Sequence, residues 1–453
     1  MKRFATALLL LGLTLAARAE PEGQALTAAE ASVGLMTLWQ QAHARDPQWA
    51  IAGYNADIDA ERLKQARGQF LPNIVASGHS TETQAEVTYD PGAPFASGRR
   101  DYKTESYGAT LTQPLFEAGL VPGYRGAKAL RARSEAERRA AEQDLMVRVA
   151  DAYFGVLLAQ DSLALAQAQK TAIAQQLQQA RRGFELGTLT ITDTHEAQAR
   201  YDLVAAQEIA ARGELDVRRE MLASIVGEFP PPLKPLRGEI PLAPPAGDSG
   251  EWLQRAQAGN LSVEARSQAA LAARHEVNRE RAGHWPSIDL VASYTDTTSS
   301  GSTFTSAGNR SEATAIGLQL QWPLFQGGAQ QARVREALAN RGRAEAQLEG
   351  TRRQVSLATR QAYLGVADGL ARVKALEQAL ASSEASLRSN ERGLEVGVRT
   401  AADVLNAQQQ VYNAKRDLAQ ARYAYLLSDL RLKAAIGRLG EADLQAVDAL
   451  LGP

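Results

Sequence analysis

The segment RGLEVGVRTAADVLNAQ at residues 392 to 408 repeats a segment from the first half of the chain, RGFELGTLTITDTHEAQ at residues 182 to 198. In each copy one glycine, Gly187 or Gly397, stands where a long run of helix-forming residues ends. A threonine follows this glycine, and an aspartate follows the threonine by three positions, which is the capping-box pattern that begins a helix. Each copy therefore predicts two helices joined by a tight turn, and the repetition predicts a duplicated unit.

Proline positions indicate how long these helices are. The 17 prolines leave residues 123 to 229 and 324 to 452 free of proline, while seven prolines fall between residues 230 and 245. Because proline interrupts a helix, the proline-free tracts predict long helices and the proline cluster predicts a linker. The predicted organisation is a first repeat at residues 20 to 229, a linker at 230 to 250, a second repeat at 251 to 440 and a C-terminal tail at 441 to 453.

The apolar periodicity changes within each repeat. Ile288, Leu290 and Ala292 alternate with polar residues, and a second alternating run ends at Trp322, which predicts a hairpin of two strands. On the proline-free tracts, apolar residues recur at spacings of three and four, as in closely packed coiled-coil helices. The predicted fold class is mainly α with a small β part, a helix-hairpin-helix unit that occurs twice. Its elements are hairpins at about 71 to 116 and 286 to 325, long helices at about 123 to 186 and 329 to 395, and returning helices at about 193 to 227 and 403 to 437.

The composition excludes several classes of function. The 50 basic residues nearly balance the 51 acidic ones, so no basic surface for nucleic acid is expected, and no cysteine is present for disulfides or thiolate metal sites. The five histidines lack metal-ligand spacing and no catalytic motif occurs, so we predict no enzyme activity, no metal and no cofactor. Residues 1 to 19 start with Lys2 and Arg3, continue as an apolar run and end in Ala-Arg-Ala, which predicts a signal peptide.

The two predicted hairpins supply four strands, which is too few to close a membrane barrel. An open sheet edge in lipid leaves backbone groups unsatisfied, and bacterial barrels have even numbers of strands from eight upward. Several chains would therefore share one barrel if these strands enter a membrane. Two, three or four chains all satisfy the even-number rule, so the strand arithmetic leaves the number of chains open.

A protein of another class would also explain the helices. A periplasmic coiled-coil adaptor or scaffold without a pore accounts for the signal peptide and for the long helical tracts. It does not account for the alternating strands, nor for aromatic residues near the strand ends, where a membrane-interface girdle would place them. The aromatic residues in question are Tyr102, Tyr107, Tyr294 and Trp322.

The motifs resemble those of the TolC-like outer-membrane channels of Gram-negative bacteria, over nearly the whole mature chain. They are FLP at residues 70 to 72, QPLF at 113 to 116 and, above all, GLEVGVRTAADVLNA at 393 to 407. The resemblance implies a homotrimer whose shared twelve-stranded barrel crosses the outer-membrane lipid and continues into a helical tunnel across the periplasm. It also implies two partners, a periplasmic adaptor and an inner-membrane ABC or RND transporter.

The same resemblance implies an exit duct that conducts its substrate passively. Because the chain has no cysteine to carry an N-terminal lipid, it is more similar to the branch that serves ABC-driven type I secretion than to the lipoprotein branch that serves drug pumps. The expected cargo is a protein toxin of the RTX type, such as an adenylate-cyclase haemolysin. Multidrug efflux is the alternative cargo class.

Functional residues are expected at the Gly187 and Gly397 turns, which the resemblance identifies as the closed periplasmic tips. In the family, carboxylates on the second returning helix form a ring around the constriction, which corresponds here to Asp403. The second carboxylate of that ring falls on Asn406. The resemblance also implies that Arg399 ties this helix to its neighbours.

The first-repeat turn supplies the remaining expected site residues. Thr192 and Asp193 are the expected partners of Arg399, and Glu196 is a further source of charge beside the ring. A simpler interpretation is open for the two aspartates, because Asp193 and Asp403 both occupy the acidic position of a capping box. The two roles are compatible with each other.

Overall fold

The computed structural model describes residues 32–94, 97–238 and 240–452. The predicted signal peptide at residues 1 to 19 lies outside the described residues. The predicted fold class is confirmed: long helices dominate, and four antiparallel strands form one sheet. The elements are α1 Leu35–Arg45, α2 Pro47–Gly68, β1 Asn73–Val87, β2 Gly98–Glu117, α3 Leu120–Glu185, α4 Ile191–Val226, α5 Ser249–Gly259, α6 Leu261–Ala282, β3 Ser287–Ser299, β4 Asn309–Gln321, α7 Ala329–Glu395, α8 Ala401–Ala435 and α9 Glu441–Asp448.

The helices form a single layer of four columns. Helix α3 packs against α2 and α4 on one side and against α6 and α8 on the other, and α7 packs against α6 and α8. The 66 residues of α3 and the 67 of α7 each give about 100 Å of helix at about 1.5 Å per residue. The two other columns each consist of two shorter helices placed end to end, α2 with α4 and α6 with α8.

The end-to-end junctions are joined by polar contacts at equivalent places. Between α1 and the end of α4, Arg45 forms an ion pair with Glu228 at 2.5 Å. Between α6 and α8, the Asn260 side-chain amide donates to the Ala435 carbonyl at 2.9 Å, while Asn260 Oδ1 caps α6 by accepting from Ser262 N. In each repeat, polar side chains at the junction therefore hold the two end-to-end helices of one column together.

The sheet has the order β1-β2-β3-β4, with every neighbouring pair antiparallel. The β2–β3 register shifts between Pro114 and Phe116, where proline cannot donate a ladder hydrogen bond. The expectation that Tyr107 and Tyr294 lie near strand ends is wrong, because Tyr107 pairs with Asp296 and Tyr294 pairs with Thr314, near the middle of their strands.

The main apolar core lies midway along the helical layer, where three short helices that the sequence did not predict, α1, α5 and α9, join the predicted long helices. Helix α1 packs there against α3, α4 and α9, and α5 packs against α7. Residues of these short helices and of the proline-rich linker join residues of α3 and α8 in one buried cluster. Short bridges pair Val33 with Leu233 and Leu236 with Leu451, so the first and last parts of the described chain lie beside the linker. We call this part the equatorial region.

By length and composition alone, α3 contains a window of residues that could cross a membrane, and 39% of this window is buried inside the protein.

Candidate functional site

The two helical turns at the end of the layer farthest from the sheet have the same backbone geometry. Gly187 has a φ of 71° and Gly397 a φ of 77°, a left-handed conformation that favours glycine. The Thr188 amide donates to the Gly183 carbonyl at 2.8 Å, and the Val398 amide donates to the Gly393 carbonyl at 2.9 Å. A Cβ at Gly393 would lie 2.6 Å from Arg399 Cγ, so the Arg399 stem packs directly on this glycine. The repeated sequence therefore encodes a repeated turn.

Capping boxes begin both returning helices, as the simpler interpretation of the aspartates expects. The Thr190 amide donates to Asp193 Oδ2 at 2.9 Å, and the Asp193 amide donates to Thr190 Oγ1 at 3.2 Å. Thr400 and Asp403 form the same pair of bonds at 2.9 and 3.2 Å. The hydrogen bonds from the Thr190 side chain and backbone lower the pKa of Asp193. Those from the Thr400 backbone and side chain, with the positive charge of Arg399, lower the pKa of Asp403.

Arg399 and its expected partners do not meet within one chain. Across the described residues, no hydrogen bond or ion pair joins the Arg399 guanidinium to Thr192 or Asp193. Arg399 acts on Asp403 of its own helix start, as a nearby positive charge. The hairpin of α3 and α4 carries Thr192 and Asp193, whereas the hairpin of α7 and α8 carries Arg399 and Asp403. We call these tip hairpin 1 and tip hairpin 2.

Asn406 takes part in a contact that the sequence did not predict. The Arg200 guanidinium on α4 donates to Asn406 Oδ1 on α8 at 2.7 Å, and this bond joins the two tip hairpins. Beside it, Val204, Ile173 and Leu405 form a small buried cluster drawn from α4, α3 and α8. No local motif identifies such a pair, because it depends on how the two hairpins lie against each other.

An acidic groove of about 600 Å³ lies between the two tip hairpins. Asp193 and Glu196 line it from α4, and Glu391 and Glu395 line it from α7. None of its lining residues in the described chain is Lys, Arg or His. Glu196 therefore lies in a groove within one chain, where a cationic group would be attracted. Among the residues that the structure describes, no cluster of His, Asp or Glu is arranged to hold a metal ion.

Comparison with known proteins agrees with this architecture. The family described as "Outer membrane efflux protein" matches residues 38–228 and 252–438, once in each repeat. Outer membrane protein TolC of Escherichia coli strain K12 is 34% identical over 426 residues, covering 92% of this chain and 85% of TolC. Alkaline protease secretion protein AprF of Pseudomonas aeruginosa is 34% identical over 427 residues, covering 92% of this chain and 87% of AprF.

A solved structure gives the same fold. The crystal structure of the outer membrane protein VceC from Vibrio cholerae has a TM-score of 0.74, with 22% sequence identity over 89% of this chain and 96% of VceC. At this level of identity the likeness concerns the fold alone. Together with the family match in both repeats and the identity to TolC and AprF, it leads to one conclusion: the chain belongs to the outer membrane efflux protein family of TolC-like channels.

Proposed function

We propose that the protein is the outer-membrane exit duct of a tripartite export machine, and that its most specific role is type I protein secretion. Its family consists of outer-membrane channels, which are transport components and not enzymes. The observation that carries the proposal is a four-stranded sheet, whose two edges are unpaired within the described residues, at one end of a helical layer about 100 Å long. Such a chain combines a membrane part with a part long enough to cross much of the periplasm.

The sheet edges support a homotrimer. β1 and β4 pair on one side only within the described chain, and open edges are not tolerated in lipid. Ile316, Leu318 and Leu320 share one face of β4 and are 64 to 76% exposed, as expected for side chains that contact outer-membrane lipid. Three chains joined β4 to β1 would give twelve strands in a closed barrel, and the helical layers would close in the same direction.

The helical layer has exposed apolar residues at both of its own edges. Ile51, Tyr54 and Ile58 are exposed on α2, at one edge, and Leu357 and Leu364 are exposed on α7, at the other. A single layer of helices can bury the apolar residues at its two edges by joining further copies of itself. These residues therefore also support closure of several chains into a ring.

The tip supports docking of a periplasmic adaptor that links the duct to an inner-membrane ABC or RND transporter. The groove between the tip hairpins is acidic and open to solvent. A helical hairpin of the adaptor with a basic end would fit it, because opposite charges steer the encounter and oppose the wrong register. An adaptor bound in this groove would lie between the two tip hairpins, where it could push them apart.

At the tip itself, we propose that Arg399 holds the constriction closed through Thr192 and Asp193 of a neighbouring protomer, since these groups do not pair within one chain. Three Asp403 carboxylates around the axis would attract cations, with neutral Asn406 in the second position of the ring. Glu196 would add charge from the groove. Arg399→Ser is expected to increase single-channel conductance in planar bilayers, and a conductance equal to that of the wild type would contradict the tether.

The cargo proposal rests on relatives. AprF is named for secretion of an alkaline protease and is as similar to this chain as TolC is. We therefore favour protein export, with an RTX-type toxin as the expected cargo. Multidrug efflux is the second candidate, because the family as a whole is described as an efflux family.

The experiment uses a Gram-negative strain that lacks its own TolC-like channel. The full chain is expressed with an ABC transporter, an adaptor and the substrate of that transporter, and the substrate is measured in the medium. Secretion without restored drug resistance supports the type I role. Restored drug resistance without secretion supports efflux, and release of the protein from membranes by carbonate without detergent would contradict a membrane duct of either kind.

A further inference from the structure

Two clefts lie next to each other on one face of the helical layer, in the equatorial region. The first, of about 330 Å³, is lined by α3, α4 and α8. The second, of about 460 Å³, is lined by α3, α6, α7 and α8. Asp151 lines the first and Arg431 lines the second, and these two residues form an ion pair at 3.5 Å. The clefts therefore adjoin, and we call them cleft 1 and cleft 2.

Small residues leave the space for both clefts. In cleft 1, α3 contributes Gly155 and Ala159, while Ala211 and Ala424 face them from α4 and α8. In cleft 2 the small residues come from α3, α7 and α8, and they are Ala140, Ala358, Ala362, Ala434 and Ala435. Each cleft therefore has room for one large side chain from another molecule.

The lining of the clefts suits an uncharged, apolar group. Phe154 and Tyr423 line cleft 1 with their rings stacked at 5.6 Å, and Leu158 and Leu427 lie beside them. The acidic lining residues of both clefts are each held in an ion pair within the chain. These pairs are Asp144 with Arg148 at 2.8 Å, Asp151 with Arg431 at 3.5 Å and Glu214 with Arg218 at 2.6 Å.

Both clefts open on the face of the layer opposite the linker. Tyr153 of α3 and Tyr425 of α8 point to the linker, because their hydroxyls donate to linker carbonyl groups. An α-helix turns by about 100° per residue. Gly155 and Ser162, two and nine residues after Tyr153, therefore lie on the far side of α3, and Leu427 lies on the far side of α8.

The linker face is the outer face of the proposed ring. Twelve helical columns about 10 Å apart form a ring roughly 38 Å across between helix axes, with a clear bore of roughly 28 Å. Three copies of α1, α5, α9 and the linker would block this bore if they lay inside it. The clefts on the opposite face therefore line the bore.

We propose that clefts 1 and 2 are paired subsites in the wall of the duct, which take apolar side chains of an extended polypeptide in transit. The inference rests on the proposed duct function and specifies the class of substrate that the wall contacts. Binding at such sites is weak and brief, because each holds one side chain.

The distance between the clefts fits an extended chain. The lining residues of α3 are centred near residue 157 in cleft 1 and near residue 144 in cleft 2. This separation of about thirteen residues spans roughly 20 Å of helix, a distance that an extended chain covers in about six residues. Because successive side chains of an extended chain point to opposite sides, two residues six positions apart point to the same side and can enter both clefts.

The test measures the binding of short peptides to the purified trimer in lipid nanodiscs, by the line width of a fluorine-19 signal. The peptides consist of glycine, serine and threonine and carry 4-fluorophenylalanine at one position, at two positions three apart, or at two positions six apart. The peptide with rings six apart is expected to bind at least about tenfold more tightly than the other two, because it alone buries both rings.

Variants that fill the clefts test where the peptide binds. Gly155→Leu fills cleft 1 and Ala358→Leu fills cleft 2, and each is expected to weaken binding of the peptide with rings six apart at least about tenfold, to the level of the single-ring peptide. A Cβ at Gly155 would lie 3.6 Å from Arg218 Cδ, which is an ordinary contact, and leucine forms helix better than glycine, so the fold is kept. Ala446→Leu, at an exposed position of α9 outside both clefts, is the matched control and should bind like the wild type.

The outcomes separate the subsites from the duct. Equal wild-type affinity for all three peptides would overturn the paired subsites, because it would indicate a single site for any apolar group, such as a small amphiphile. Unchanged binding in both Gly155→Leu and Ala358→Leu would also overturn them. If the trimer conducts ions in planar bilayers and either result is found, only the subsites are wrong. A chain that forms no pore refutes the duct, and with it the placement of the subsites in a bore.

Discussion

The equatorial region and the tip use the same long helices but hold them together differently. At the equator, α3 and α8 share one continuous core with α1, α5 and α9, in which Leu38, Val149 and Leu430 have no exposed surface. At the tip, α3, α4 and α8 share a cluster of three buried residues and a few polar contacts. From this difference we predict that the equator stays fixed in each protomer and that the tip is the part that separates when the proposed duct opens.

The linker strengthens this difference. It crosses the helical layer at the equator, where tyrosine hydroxyls from three helices donate to its carbonyl groups. The bonds run from Tyr153 to Lys234 O at 2.8 Å, from Tyr425 to Ala243 O at 2.8 Å and from Tyr363 to Gly247 O at 3.3 Å. No equivalent of the linker crosses the described tip, so the hairpin ends there are held together only by side chains of the helices themselves.

The largest expected effect comes from the equatorial core. Leu430→Ala removes a fully buried side chain and is expected to cost about 3 kcal/mol of unfolding free energy, because the dense core cannot collapse into the cavity. Leu405→Ala, in the tip cluster, is expected to cost about 2 kcal/mol or less and to increase channel opening. Thermal unfolding in detergent and bilayer conductance measure the two effects. A larger loss of stability from Leu405→Ala would contradict the comparison.

The next effect concerns a buried ion pair at the equator. Arg148 donates to both carboxylate oxygens of Asp46 at 3.1 Å, and Asp46 also caps α2 by accepting from Trp49 N at 2.7 Å. Burial raises the pKa of Asp46, but the bonds from Arg148 and Trp49 outweigh burial, so the pKa lies below its ordinary value. Arg148→Met leaves this carboxylate without its cation and is expected to cost about 2 kcal/mol at pH 7.

The pH dependence of the same pair has a defined sign. Since the folded pKa is depressed, the stability from Asp46 is complete above the ordinary value of 3.8 and is lost as the pH falls through the folded pKa. The melting temperature of the wild type should therefore fall more steeply below pH 4 than that of Arg148→Met. Parallel curves for the two proteins would show that the pair contributes no stability.

A smaller loss of stability is expected when a tyrosine hydrogen bond to the linker is removed. Tyr153→Phe keeps the buried ring but leaves the Lys234 carbonyl without its donor, at an expected cost of about 1.5 kcal/mol. Burial raises the pKa of Tyr153 well above its usual range, so the hydroxyl remains a donor at any physiological pH. Tyr363→Phe, at the equivalent position of the second repeat, removes a longer bond of 3.3 Å at a more exposed site and should cost less. Equal losses of unfolding free energy in the two variants would contradict the expected difference between the two hydroxyl bonds.

The smallest effect is expected at the tip caps. Thr190→Ala removes one half of a capping box at the start of α4 and is expected to cost about 1 kcal/mol, confined to the first turn of that helix. Hydrogen exchange of the amides of residues 191 to 194 measures it. Thr171→Ala serves as the control, since the Thr171 hydroxyl donates to the Gln167 carbonyl within α3 and does not cap α4. Unchanged exchange in Thr190→Ala would mean that other contacts hold the helix start.

The repeated parts of the fold could be predicted from sequence, because they depend on local rules. Glycines at positive φ, the Thr-x-x-Asp pattern and strand alternation act over a few residues, and the turns at Gly187 and Gly397 follow directly from them. The equatorial helices α1, α5 and α9 are only 8 to 11 residues long. Helices this short are marginal on their own and depend on tertiary packing, which the sequence pattern does not reveal.

The candidate site was only partly predictable for a related reason. The capping roles of Asp193 and Asp403 are local and could be foreseen, whereas Arg200–Asn406 joins residues 206 positions apart in the chain. That bond depends on the rotation of α4 and α8 about their axes, since a shift of one residue would point either side chain elsewhere. The Arg399 tether would require a neighbouring protomer, and no pattern within one chain specifies that geometry.

The most direct test of a separating tip is a reversible cross-link between the two tip hairpins. The natural chain has no cysteine, so Arg200→Cys/Asn406→Cys can be bridged selectively by a short bifunctional thiosulfonate reagent. Arg181→Cys/Gln198→Cys, bridged in the same way within tip hairpin 1, is the matched control. Secretion through the assembled machine is predicted to stop when the first pair is bridged, to return on reduction, and to continue in the control. Full secretion through a duct whose first pair is completely bridged would contradict the separation of the hairpins.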